Sequence, residues 1–120
     1  MIFWKGLKKG MSKAKKFDVG KADLSLLPRH AKEGVAKAFQ FGADKYGRYN
    51  YLKGAEWSRF IAAADRHLTA FNSGETYDPD SGLNHLYHVG ANIMILIEYF
   101  ERCIGEDNRY KGDNYGSNRE

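Results

Sequence analysis

Residues 83–104 read LNHLYHVGANIMILIEYFERCI. Within them Leu86, Val89, Ile93, Leu96, Ile97 and Phe100 recur every three or four positions, the spacing that lays apolar side chains along one stripe of an α-helix. A strand would need strict alternation, which is absent here, so the spacing predicts a long helix from about Leu83 to Ile104. Residues 106–120 are mostly Gly, Asn and charged residues and are expected to fray. Just upstream, 73–82 (SGETYDPDSG) forms an acidic turn, with Gly74 as a helix stop and Asp80 or Ser81 as the cap of the long helix.

Two more helices are predicted before that turn. One runs from about Ala55 to Asn72, with Phe60, Ala64, His67 and Phe71 on one stripe, Arg59, Ala63, Arg66 and Ala70 on the next, and alanines that permit close packing. The other starts near Pro28, whose missing N–H suits a first turn, and stops at Gly47; Ala31, Val35, Ala38 and Phe39 are its apolar set. Between them lies a Tyr-rich, basic loop, 47–54 (GRYNYLKG). The fold class is therefore all-α, a bundle of three main helices. The long helix is too apolar for two partners to cover, which implies a homo-oligomer.

A chain of 120 residues has room for one core, expected over 23–105. Residues 1–22 lack periodicity and carry Lys5, Lys8, Lys9, Lys13, Lys15, Lys16 and Lys21, a basic arm that could touch nucleic acid but reads better as a solvated segment. The single cysteine, Cys103, cannot close an internal disulfide, which points to a reducing compartment such as the cytoplasm. No run approaches the roughly 18 apolar residues of a membrane span.

The candidate chemistry gathers on the second and third helices and the turn between them. His85, His88 and Asn92 fall at i, i+3 and i+7, on one face of a helix whose other faces are apolar. Imidazoles so placed can hold one metal ion or one phosphate, or form a buried hydrogen-bonded network. Arg59 and Arg66 point the same way, beside Asp65 and His67, and guanidinium groups fork onto phosphate oxygens. Surface salt bridges are the plainer use of such residues. Glu75, Asp78 and Asp80 are close enough in sequence to hold a hard cation, although turn carboxylates are commonly caps. Lys45 and Lys53 could reach phosphates, and Trp57 or Tyr46 could stack on a base. Glu98 and Glu101 read as a solvated edge, and no Gly-rich phosphate loop is present.

Seven segments in order then carry a resemblance: FDVGK (17–21), LLP (26–28), FGADKYG (41–47), WSR (57–59), RHL (66–68), GETYDPDSG (74–82) and HLYH (85–88). Together they resemble the phage dATP/dGTP diphosphohydrolase N-terminal family. The resemblance implies a MazG-like, all-α pyrophosphohydrolase. Such an enzyme cuts a deoxynucleoside triphosphate between its α and β phosphates, using Mg2+ or Mn2+. MazG-type enzymes hold their metals on facing ExxE and ExxD pairs. At the corresponding places this chain has Arg66, His67, His85 and His88, so the metal site is either rebuilt from histidines and the turn carboxylates or absent.

The expected function is metal-dependent hydrolysis of dATP or dGTP to the monophosphate and pyrophosphate. His67, Glu75, Asp78, His85 and His88 are the expected metal residues, and Glu75, Asp78 and His88 the catalytic ones. Lys45, Lys53, Arg59, Arg66 and Asn92 are expected on substrate, and Trp57 on the base. The alternative is a non-catalytic protein that binds a nucleotide or a macromolecular partner.

Overall fold

A computed structural model describes residues 13–112, and among them the regular structure is helical. Helix α1 spans Arg29–Tyr46, α2 Trp57–Asn72 and α3 His85–Arg102. Each predicted helix is present, with ends shifted by two residues at most. Pro28 stands immediately before α1, and Gly47 closes it at φ 96°, a backbone conformation that glycine adopts without strain. The basic loop holds a short 3-10 turn at Asn50–Lys53.

The cap of α3 differs from the expectation. Asn84 takes that place, its side chain accepting from the Leu86 N–H at 2.8 Å. Asp78 and Ser81 instead close the preceding turn: Asp78 Oδ2 accepts from the Ser81 N–H at 2.9 Å, and Ser81 Oγ from the Leu83 N–H at 3.1 Å. The turn is pinned at its base as well, where Asp78 N–H donates to Leu83 O (2.8 Å) and His85 N–H to Thr76 O (2.9 Å). The carboxylates and the first turn of α3 are thus fixed to one another through the backbone.

Helix α3 is the centre of the fold. α2 packs along it, α1 packs on another side, and α1 and α2 meet each other little. The α1–α3 approach depends on two glycines: a Cβ at Gly34 would fall inside the Tyr87 ring, and one at Gly90 would lie 2.6 Å from Val35 Cγ2. The buried apolar residues among those described are Ala38, Ala64, Ala91 and Tyr99, joined by one polar residue, His85. Tyr99 donates its hydroxyl to Tyr51 O at 2.6 Å and meets the Phe60 ring edge-on at 5.3 Å. That phenol ties the loop to α3 where the aliphatic core is thin.

Of the segment expected to fray, residues 106–109 are tied down. Trp57 N–H donates to Glu106 O at 2.9 Å, Ser58 N–H to Asn108 Oδ1 at 3.0 Å, and the Arg109 guanidinium lies over the Trp57 ring at 5.4 Å. These contacts satisfy N–H groups that the first turn of α2 cannot pair within the helix. Residues 113–120 and 1–12, the latter most of the basic arm, lie outside the described residues. No described helix is long and apolar enough to cross a membrane.

Candidate metal centre

Antiparallel packing of α2 on α3 brings His67, near the end of α2, against His85 and His88 in the first turn of α3. His67 Nδ1 and His85 Nδ1 are 2.8 Å apart, and the His67 ring stacks on His88 with centroids 4.6 Å apart and planes 16° from parallel. The pinned turn delivers Asp78 to the same place: donor atoms of His67, Asp78 and His85 all lie within 4.8 Å of one another. Residues spread over nineteen positions in sequence thus converge on one point.

His85 is 3 % exposed, and each of its ring nitrogens has a partner. Nε2 is 2.7 Å from Glu75 Oε1. An ionised carboxylate only accepts, so Nε2 carries the proton and donates to Glu75. Nδ1 of His85 faces Nδ1 of His67, and one of the two donates to the other. Glu75, expected as a metal ligand, is bonded to His85 here, and a carboxylate so placed fixes the ring's direction and makes its other nitrogen a better donor to a cation. His88 Nε2 is 2.7 Å from Ser81 Oγ, and the edge of Phe41 meets its ring at 6.0 Å.

Burial lowers the pKa of both His67 and His88, and in each case neighbouring histidines push the same way against the pull of Asp78. Both rings are consequently neutral at pH 7, the form that offers a lone pair to a metal or takes up a proton. For Asp78 burial acts to raise the pKa, but hydrogen bonds from Ser81 outweigh it and hold the carboxyl below its ordinary value. At neutral pH the neutral rings of His67 and His88 and the ionised Asp78 carboxylate stand together, with His85 bonded to His67.

The donor chemistry tests which cation would fit. Donor pairs on an ion with bonds of about 2.1 Å sit about 3 Å apart, close to the spacing of the two Nδ1 atoms. Imidazole nitrogens suit Mn2+ and later transition ions, whereas Mg2+ prefers an all-oxygen shell and keeps its waters. The set of two nitrogens and one carboxylate is one that can hold a divalent cation.

The remaining expected site residues divide by position. Lys45, at the end of α1, pairs with Asp80 in the same turn, Nζ to Oδ2 3.5 Å, and lies 5.7 Å from the Phe41 centroid; Asp80 raises its pKa. Arg66 is exposed and next to His67, whose pKa its charge helps to lower. Asn92 donates Nδ2–H to His88 O at 2.7 Å, a bond within α3. Trp57 and Lys53 lie at the other end of α2. Trp57 is ten residues from His67, about 15 Å along the helix axis, and its indole N–H is engaged by Ile104 O at 2.9 Å. Arg59 is at that end too, and Glu98 pairs with Arg102 at 2.8 Å on the exposed edge. Two contributors were missed from the sequence, Ser81 and Phe41, because only the folded turn and the α1–α3 crossing bring them to His88.

An all-helical chain with a histidine and carboxylate cluster between antiparallel helices is a candidate metal-binding helical domain. A family model described as dATP/dGTP diphosphohydrolase, N-terminal, matches residues 11–109, and the chain belongs to that family. It is 36 % identical over 94 residues to the dATP/dGTP diphosphohydrolase of Salmonella phage PMBT28, an alignment covering 78 % of this chain and 32 % of that protein. The chain thus spans about a third of that relative's length. No solved structure matches it.

Proposed function

We propose that this domain hydrolyses a purine deoxynucleoside triphosphate to its monophosphate and pyrophosphate, with Mn2+ held by His67, Asp78 and His85. The observation that carries the proposal is the convergence of those three residues, backed by Glu75, in a chain of the dATP/dGTP diphosphohydrolase N-terminal family. A bound Mn2+ would polarise phosphate oxygens and lower the pKa of water.

The protein's own groups supply the rest. Arg66 and Lys45 flank the cluster and are free to pair with phosphate oxygens, Lys45 by exchanging Asp80 for substrate. His88 is neutral, its Nε2 is engaged by Ser81, and Nδ1 is the nitrogen left to take a proton from an attacking water. Stacking on His67 holds that ring in place. The test is to incubate the purified chain with dATP or dGTP and Mn2+ and resolve the products. Monophosphate and pyrophosphate are expected; no product above a His67→Ala, His85→Ala control would overturn the proposal, and diphosphate with orthophosphate would overturn the cleavage position.

The same proposal includes self-association. Leu86, Ile93, Met94, Ile97 and Phe100 on α3 are 40–64 % exposed, an apolar row that neither α1 nor α2 covers. A second copy meeting that row would complete the bundle. Sedimentation should show a dimer or larger species that Ile97→Glu dissociates.

A further inference from the structure

The polar groups around the centre account for the phosphates of a nucleotide but not for its base. Trp57, the aromatic residue expected there, stands about 15 Å away along α2 with its N–H bonded to Ile104 O and Arg109 over its ring. Tyr77 is 65 % exposed but immediately precedes Asp78, and so belongs to the phosphate end. Phe41 also lies 5.7 Å from Lys45 Nζ, but its edge packs on His88, which leaves Tyr46 as the exposed ring beside Lys45. Tyr46, the last residue of α1, is 64 % exposed. Its centroid lies 5.5 Å from Lys45 Nζ, which is itself 3.5 Å from Asp80 Oδ2 in the turn that supplies Asp78.

Outward from the metal centre the groups therefore run carboxylate, ammonium, aromatic ring. A nucleoside triphosphate has the complementary order: metal-bound phosphates, the phosphate nearest the sugar, and the base. We infer that Tyr46 is the base platform of this site, its ring stacking on the purine while Lys45 takes a phosphate oxygen. The inference rests on the function proposed above and adds to it the residue that recognises the nucleoside. Stacking needs only a π-face, so it selects for a large base without reading its edge. Purines offer the larger face. The hydroxyl is not needed, whereas the ring is.

The experiment measures Mn2+-dependent binding of two probes by calorimetry: a non-hydrolysable α,β-methylene dATP and inorganic tripolyphosphate, which has the phosphates and no base. Wild type, Tyr46→Ala and Tyr46→Phe are compared. Tyr46 is exposed at a helix end, so neither change disturbs the core. Tyr46→Ala should weaken the nucleotide about tenfold and tripolyphosphate by less than about twofold, with Tyr46→Phe close to wild type. Equal losses for both probes, or none for either, would overturn the platform while leaving the proposed function standing. A wild-type protein that binds neither probe would overturn the proposed function and the platform with it.

Discussion

Replacing His85 by alanine separates the two roles that this buried ring performs. It removes the bond to Glu75 at 2.7 Å and the one to His67 at 2.8 Å, each contributing ~1 kcal/mol net. Glu75, whose side chain is 55 % exposed, recovers water, while half-buried His67 does so only in part. The lost ring also leaves a void at a position 3 % exposed, so the cost in the metal-free protein is ~2–3 kcal/mol. In a domain of this size that lowers the melting temperature by ~10–15 °C. Adding Mn2+ at a hundred times its Kd should raise the wild-type stability by ~2.7 kcal/mol and the variant's not at all. Thermal melts of both proteins with and without Mn2+ measure the two effects together. A metal-induced rise that survives His85→Ala unchanged would refute the assignment of His85 as a ligand, whatever the variant's own stability; His85→Gln, which keeps one hydrogen bond, serves if alanine prevents folding.

Three further outcomes follow from named contacts. Glu75→Gln keeps a hydrogen-bond acceptor beside His85 but removes its charge, so Mn2+ affinity by calorimetry should fall ~10- to 100-fold with little change in melting temperature. Tyr99→Phe removes one of two donors to Tyr51 O, which keeps the Gly54 N–H at 3.1 Å, and should cost ~1 kcal/mol in urea unfolding, with metal affinity unaltered. Because His67 and His88 have pKa values below the ordinary 6.5, the unfolded chain binds protons more readily than the folded one. Their contribution is complete above pH 6.5 and is lost as pH falls from there through the lowered folded values, so urea midpoints should decline over that interval. A midpoint that rose on acidification would contradict neutral, partly buried rings.

The helices were legible because a period of three to four residues is a local property. Pro28, Gly47 and Gly74 marked ends of helices to within two residues. The cap of α3 was missed because Asp80, Ser81 and Asn84 are all competent caps, and the choice is made by backbone bonds from Asp78 and His85 across the turn. His85 and His88 could be paired from their i,i+3 spacing, and His67 and Asp78 were candidates by type. Their convergence depends on the antiparallel register of α2 on α3, which no single segment encodes. A carboxylate's type alone does not reveal that Glu75 meets His85. Trp57 was assigned to the base on aromatic character alone, although ten residues of helix place it far from His67. Tyr46 was the alternative, and its position beside Lys45 appears only once α1 ends against the acidic turn.

The most direct measurement of the metal-centre assignment is an anomalous-difference map, at the manganese edge, from crystals grown with Mn2+ and α,β-methylene dATP. The expected result is a peak among His67, Asp78 and His85, with phosphate oxygens of the nucleotide on the same ion and Glu75 still bonded to His85. Manganese elsewhere, at Glu98 and Glu101 for example, or a nucleotide bound away from the three residues, would contradict it.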